Sequence, residues 1–338
     1  MPRFFSFIIP VYNRPDELAE LLTCLAAQTY RNFEVVVVED GSKVRSEDVV
    51  KRFSDQLEIL YFEKKNGGQG FARNDGMARA RGDWFIILDS DALIEPDYLA
   101  IVNREIDRQR LDFYGGPHRD HPSFTPIQRA ISYAMTSVFT TGGIRGKEKN
   151  AGGTFHPRSF NLGLSREVWE KTGGFRITRM GEDIIFSITA LRMGFKSALL
   201  PEAFIYHKRR TNFEAFFRQL TFFGRARINI SRFYPDELKL VHAFPALFTL
   251  WLFSFPLQFL LFRSLFGLSV GVLVVYGLLL VVDAFRKTGS VRIAVLSLAA
   301  AFVQLTGYGI GFLSETFKKW REPSGFRQTG ETVEYPSA

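Results

Sequence analysis

Residues 84–92 read WFIILDSDA, an apolar run that ends in two aspartates one residue apart. Five successive apolar residues without polar alternation suit a strand buried on both faces, as in a parallel sheet. Two carboxylates so close together repel each other, and folding alone gains nothing from placing them there. A bound cation removes that repulsion. The stretch therefore predicts a fold class and a site together.

The same grammar continues on both sides of it. FFSFIIPVY (4–12) reads as a buried strand. NRPDELAELLTCLAAQ follows as a helix, with Leu18, Leu21, Leu22 and Leu25 at helical spacing, Asn13 as its cap, and Pro15, Asp16 and Glu17 in its first turn. Next come a strand FEVVVVED (33–40), a helix around 46–54, a strand LEILYFE (57–63), a glycine-rich turn (66–70) and a helix over 71–81. Buried strands separated by helices predict a Rossmann-like, mostly parallel sheet of right-handed β-α-β units with flanking helices. Ligands of such sheets bind at the carboxyl ends of the strands. Glu39 and Asp40, and Asp89 and Asp91, fall at those ends and are expected to face one crevice.

The middle of the chain, 110–210, is less regular, and its basic, glycine-rich loops suggest a substrate-facing region. REVWEKTGGF reads as a short helix with a glycine stop, and GEDIIFSITALRMGF as a helix with acidic residues at its start.

Composition points to two solvents for one chain. Of 338 residues, 46% are hydrophobic, including 35 Phe, yet 23% are charged. Charges are spread through 1–242 and are sparse over 243–313. Segments 243–262, 265–282 and 293–313 each approach the roughly 20 apolar residues that cross a bilayer. Pro245 and Pro256 leave open a broken or re-entrant first segment. With three spans and a cytoplasmic N-terminal domain, Arg286, Lys287 and Arg292 lie inside, as positive-inside bias favours, whereas Lys318, Lys319 and Arg321 lie outside. Three segments are expected and their topology stays open. The net charge of +8 fits a basic face against anionic lipid. No nucleic-acid module is present, so nucleic acid is not expected as a partner. The single cysteine, Cys24, excludes an internal disulfide and fits a buried helix position. The chain opens on a strand pattern without a signal peptide, so the first 242 residues are expected in the cytoplasm.

Asp89 and Asp91 suit a hard divalent cation, Mg²⁺ or Mn²⁺, which takes oxygen ligands and binds phosphates at the same time. No Cys/His cluster suggests zinc. SFIIPVYNRPDEL, VVVVEDGS, NGGQGFARNDGMARARGDWFIILDSDA, GGF and GED occur in the order and spacing of family 2 glycosyltransferases, which this chain resembles over residues 4–235. The resemblance implies the GT-A fold, an inverting metal-dependent mechanism and a nucleotide-sugar donor. It implies that Pro10, Tyr12 and Asn13 lie against the nucleotide, that Asp40 recognises the base, usually uracil, and that Arg73 and Asn74 lie below the donor. Glu39 stands where the family usually has Asp. Asp89 and Asp91 match the Asp-x-Asp motif, with Asp91 as the direct metal ligand. GED (181–183) matches the segment of the catalytic base, taken as Asp183, with Glu182 as a neighbouring contact to acceptor or metal. Without the resemblance, both are equally good helix-start residues.

YHKRRTNFEAFFRQLTFFGRAR (206–227) resembles the family's His and basic helix near the membrane. His207 is either a metal or diphosphate ligand or a structural histidine. Arg209, Arg210, Arg218, Gln219, Arg225 and Arg227 face phosphate or anionic lipid, with Phe213, Phe216, Phe217, Phe222 and Phe223 as the apolar complement of an interfacial helix. The Gln-x-x-Arg-Trp of processive members is absent.

The expected layout is a cytosolic catalytic domain over 1–235, its interfacial helix within 206–235, a membrane region over 243–313 and a polar tail over 314–338. The expected protein is a multi-pass protein of the cytoplasmic (inner) membrane. It is expected to move one sugar from a UDP-type donor to a lipid-linked or membrane-proximal saccharide acceptor, in envelope polysaccharide or glycolipid synthesis. A processive polysaccharide synthase and a non-catalytic nucleotide-sugar-binding scaffold are the alternatives. A transporter is poorly supported, since Asp283 is the only acidic residue in the apolar region.

Overall fold

The structure is a computed structural model and describes residues 2–141, 149–150, 153–207 and 210–322, with 149, 150, 153, 154 and 207 described by backbone alone. The described residues form two compact units, one of 2–121 with 155–207 and one built from 122–154 with 210–322.

In the first unit, β1 (Phe5–Val11), α1 (Pro15–Ala26), β2 (Phe33–Asp40), α2 (Glu47–Lys51), β3 (Ile59–Lys64), α3 (Gln69–Arg79) and β4 (Trp84–Leu88) alternate as the periodicity predicts. The short strand β5 (Ala92–Leu93), α4 (Tyr98–Gln109), β6 (Phe113–Gly115) and β7 (His118–Arg119) complete its N-terminal part. The chain passes through the second unit as α5 (Pro126–Thr136), α6 (Val138–Thr141), β8 (Lys149–Asn150) and β9 (Gly153–Thr154). It returns with β10 (Asn161–Ser165), α7 (Arg166–Thr172), α8 (Glu182–Arg192), β11 (Ser197–Leu199) and β12 (Ile205–His207).

The main sheet has seven strands in the order β11-β6-β10-β4-β1-β2-β3. β1 pairs in parallel with β2 and β4, β2 with β3, and β6 with β11, whereas β10 runs antiparallel between β4 and β6. Both faces are dry, which explains the unbroken apolar runs. Phe7, Ile9, Val35, Val37, Ile86 and Leu88 face the Leu18–Leu25 stripe of α1. Their neighbours Ile8, Val36, Val38, Phe85 and Ile87 pack with Ala72 and Met77 of α3. Each such side chain removed from water is worth about 1.5–3 kcal/mol. Gly76 lets α3 lie close, because a Cβ there would stand 2.7 Å from Ile8 Cγ2. Strand order reverses between β1 and β4, so the crevice of this doubly wound sheet opens at their carboxyl ends.

One sequence expectation changes, and one left open is decided. Asn13 does not cap α1; Arg14 holds the N-cap position, and Asn13 instead adopts φ 54° and serves the neighbouring loop. The first apolar segment is not one straight helix.

The second unit also contains α9 (Phe213–Phe233), α10 (Phe244–Phe253), α11 (Phe255–Leu261), α12 (Arg263–Thr288) and α13 (Val291–Arg321). The helices α12 and α13 are long and apolar enough to cross a membrane; the stretch Leu240–Phe253 and α11 are bent by 43°, with Pro256 at the start of α11. Ala130, Ile131 and Ala134 of α5 and Phe216 and Leu220 of α9 pack with Ile293 and Ala300 of α13. That packing explains why 122–141 joins this unit. Within the segment 206–235 expected at the interface, α9 packs as one member of a helix bundle, and its Arg225 pairs at 3.3 Å with buried Glu315 of α13. Arg218 pairs with Glu214 on the exposed side. Arg209 and the tail 323–338 lie outside the described residues.

Candidate active site

The carboxyl ends of β1 and β2 are tied together by side chains. Asn13 accepts at Oδ1 from the amides of Lys43 (2.7 Å) and Val44 (3.0 Å), and its own amide donates to Ser42 Oγ at 2.7 Å. Tyr12 stands 50% exposed beside it, and Pro10 is half-buried in the strand.

Glu39 and Asp40 are almost fully buried and turn to opposite tasks. Glu39 accepts from Ser42, from the Ser46 amide at 2.7 Å and from Tyr61 at 3.2 Å, which orders the loop after β2. The carboxylate of Asp40 accepts from the amides of Gly67 (2.8 Å) and Gly68 (2.9 Å). Gly68 has φ 84°, and a Cβ there would meet Thr178 Oγ1 at 2.1 Å, so only glycine fits between Asp40 and Thr178. The glycine-rich turn is thus held from both sides.

Arg73 is 1% exposed and joins two parts of the site. Its Nη2 donates to Asp89 Oδ1 at 3.0 Å and its Nη1 to Glu182 Oε1 at 3.1 Å. A guanidinium out of water needs such partners, since an unpaired buried charge is strongly destabilising. Gln69 also donates to Glu182. Burial, and then the charge of Asp183, push the Glu182 carboxyl above the usual carboxylate range, against the pull of Arg73 and Gln69. Asn74 grips the GGF turn by donating to Phe175 O and accepting from Phe175 N, both at 2.9 Å.

Asp183, the next residue of α8, is more open: its side chain is 16% exposed against 4% for Glu182. Its Oδ1 accepts from the Ile184 amide at 2.8 Å, and Oδ2 lies 3.8 Å from Arg158. Asp91 is ion-paired with Arg14 at 2.6 Å, and its side chain is 10% exposed. Ser90 between the aspartates is buried.

The donor chemistry fits a hard divalent cation of the open kind, with one or two carboxylates and phosphate oxygens completing the shell. Asp91 and Asp89 would hold it. Among the described residues there is no group of three or more His, Cys, Asp or Glu that could cage a metal by themselves. His207 ends β12, its Cα opposite that of Ala92 next to Asp91. Its side chain lies outside the described residues.

The structure thus brings Asp89, Arg73 and Glu182 into one chain of contacts, with Asp183 next to Glu182 in sequence, and sets Asp91 against Arg14 of the loop carrying Tyr12 and Asn13. Sequence reasoning missed Arg14, Gln69, Thr178 and Arg158. For Arg14 there was a signal: a cation in the loop after β1, directly before the proline that opens α1.

Residues 6–173 match the model for Glycosyl transferase family 2. The glycosyltransferase GlyA of Streptococcus pneumoniae is 39% identical over 112 residues, 33% of this chain and 16% of that protein. The succinoglycan biosynthesis protein ExoO of Rhizobium meliloti is 29% identical over 213 residues, 60% of each chain. The chain therefore spans less than two thirds of these relatives. Among solved structures, the mannosyltransferase PcManGT of Pyrobaculum calidifontis, in complex with GDP-Man and Mn²⁺, superposes with a TM-score of 0.59 at 18% identity, covering 94% of this chain and 88% of that one. This likeness supports the GT-A fold.

Proposed function

Because the chain belongs, through residues 6–173, to glycosyl transferase family 2, we propose that it transfers a single sugar, with inversion, from a UDP-type nucleotide-sugar to a lipid-linked or membrane-proximal acceptor. The observation that carries this reading is the contact chain Asp89–Arg73–Glu182, with Asp183 adjacent. It fixes one strand-end carboxylate, Asp89, to the start of the helix that bears a candidate base.

In this reading Asp40 and the turn it orders receive the base of the nucleotide, and Tyr12 and Asn13 line its approach. Asp183 takes the proton of the acceptor hydroxyl at its carboxylate while that oxygen bonds to the anomeric carbon and the diphosphate leaves on the opposite face. Its greater exposure favours it over Glu182 for that task. Glu182, buried and held by Gln69 and Arg73, positions the helix start. A divalent cation, when bound at Asp91 and Asp89, supplies neutralisation of the departing diphosphate. The helices able to cross a membrane support membrane association; in this reading the protein is a multi-pass one of the inner membrane with its catalytic unit in the cytoplasm. The name of ExoO supports a role in polysaccharide assembly.

Calorimetric titration of UDP and of GDP into detergent-purified protein, with Mn²⁺ or with EDTA, tests the donor assignment. UDP binding that disappears with EDTA and in Asp91→Asn supports it. Preference for GDP, the nucleotide of the PcManGT complex, or binding indifferent to the metal overturns it.

A further inference from the structure

The ion pair between Arg14 and Asp91 has no part in the reading above, yet it occupies the carboxylate on which that reading depends. Arg14 Nη1 donates to Asp91 Oδ2 at 2.6 Å. The pairing is built in. Arg14 lies between Asn13, whose backbone and side chain are fastened to Ser42, Lys43 and Val44, and Pro15, which begins α1. Its backbone therefore has little freedom, whereas its side chain, 36% exposed, can leave.

We propose that Arg14 is a resident competitor for the divalent cation at Asp91, so that metal binds weakly until a nucleoside diphosphate draws the guanidinium away. This rests on the assignment of Asp91 as metal ligand. Two cations at contact distance on one carboxylate repel each other, and at Asp91, whose side chain is 10% exposed, water screens that repulsion only in part. A diphosphate offers the guanidinium a bidentate anionic partner in exchange. Cation and nucleotide then bind with positive coupling, and linkage requires that coupling to be reciprocal. The pair would also keep a buried acidic residue compensated before the ligands arrive.

The experiment is titration of Mn²⁺ into the detergent-purified full chain, followed by the paramagnetic resonance signal of free Mn²⁺, without and with UDP. Wild type is compared with Arg14→Gln, Arg14→Lys and Asp91→Asn. Arg14→Gln is expected to bind Mn²⁺ alone roughly fivefold tighter or more, the lower end of ordinary coupling energies, and to lose most of the tightening that UDP gives wild type. Arg14→Lys, which keeps a cation there, should stay near wild type. Equal Mn²⁺ affinity in wild type and Arg14→Gln, with Asp91→Asn losing it, overturns the role of Arg14 and leaves the metal assignment standing. Mn²⁺ binding that survives Asp91→Asn unchanged overturns the metal assignment itself, and this inference with it. Circular dichroism of each variant separates these results from misfolding.

Discussion

Arg73 and Glu182, both almost fully buried, are joined at 3.1 Å, and the same guanidinium holds the partly exposed Asp89 at 3.0 Å. One cation thus bridges both carboxylates, and Gln69 supports Glu182 beside it. Above the raised pKa of Glu182, where its carboxylate is ionised, replacing Arg73 by Met should destabilise the protein by about 3–5 kcal/mol, as removing one partner of a buried pair does. Arg73→Lys should be intermediate, since an ammonium cannot reproduce the planar fork that spans both partners. Chemical denaturation followed by circular dichroism measures this. A loss below about 1 kcal/mol for Arg73→Met, in the range of exposed pairs, would show that the bridge is solvated.

The raised pKa of Glu182 has a definite sign in stability. The folded chain keeps this proton from the ordinary value of 4.5 up to about 7, whereas the unfolded chain releases it near 4.5. The native state therefore binds more protons across that window, and stability should fall as pH rises through it. Arg73 and Gln69 oppose the shift, and burial and Asp183 produce it. Glu182→Gln removes the titration. The gap in melting temperature between wild type and Glu182→Gln should then move in favour of the variant between pH 4.5 and 7. A gap constant over that range would mean that Glu182 is ionised throughout.

The carboxylates of Asp183 and Asp91 should separate by function. If Asp183 takes the acceptor proton, Asp183→Asn should lower turnover about 10²–10⁴-fold while UDP affinity is kept. Asp91→Asn should instead weaken UDP binding in Mn²⁺. Radiolabel transfer to a membrane-extracted acceptor, set beside calorimetry on the same preparations, distinguishes the two. Full activity in Asp183→Asn would move the base elsewhere.

The strands were legible because burial on both faces leaves a signature that nothing else in a charged domain produces, and β1, β2 and β4 are nearly where their apolar runs end. Asp89 and Asp91 were legible for the opposite reason, as charges where the pattern has no use for them. Pairings were not legible. Nothing local says that Arg73 reaches Glu182, or that Asn74 closes on Phe175 rather than on a ligand, because these contacts join residues about a hundred positions apart. Asn13 before Pro15 looked like a cap, and only the approach of the 42–44 loop gave its side chain better partners. In the apolar region, Pro256 announced a break but not its angle.

The crossing of α9 and α13 gives a test of the second unit that is independent of any ligand. A Cβ on Gly224 would stand 2.1 Å from Tyr308 O, and one on Gly311 would stand 2.0 Å from Thr221 O. Both obstacles are backbone, so neither can swing aside, and the helices must separate to admit a side chain. Close approach through small residues is the usual means of holding helices together where lipid removes the hydrophobic drive. Gly224→Val or Gly311→Val should therefore destabilise by about 1–3 kcal/mol or more, and the separation should also weaken the Arg225–Glu315 pair near the same crossing. Gly271 on α12 is the control, for a Cβ there meets nothing within 4 Å. Gly271→Ala should be neutral or stabilising by up to about 1 kcal/mol through helix propensity alone. Thermal unfolding in one detergent decides it. Equal effects of Gly311→Val and Gly271→Ala would mean that α9 and α13 do not cross this closely.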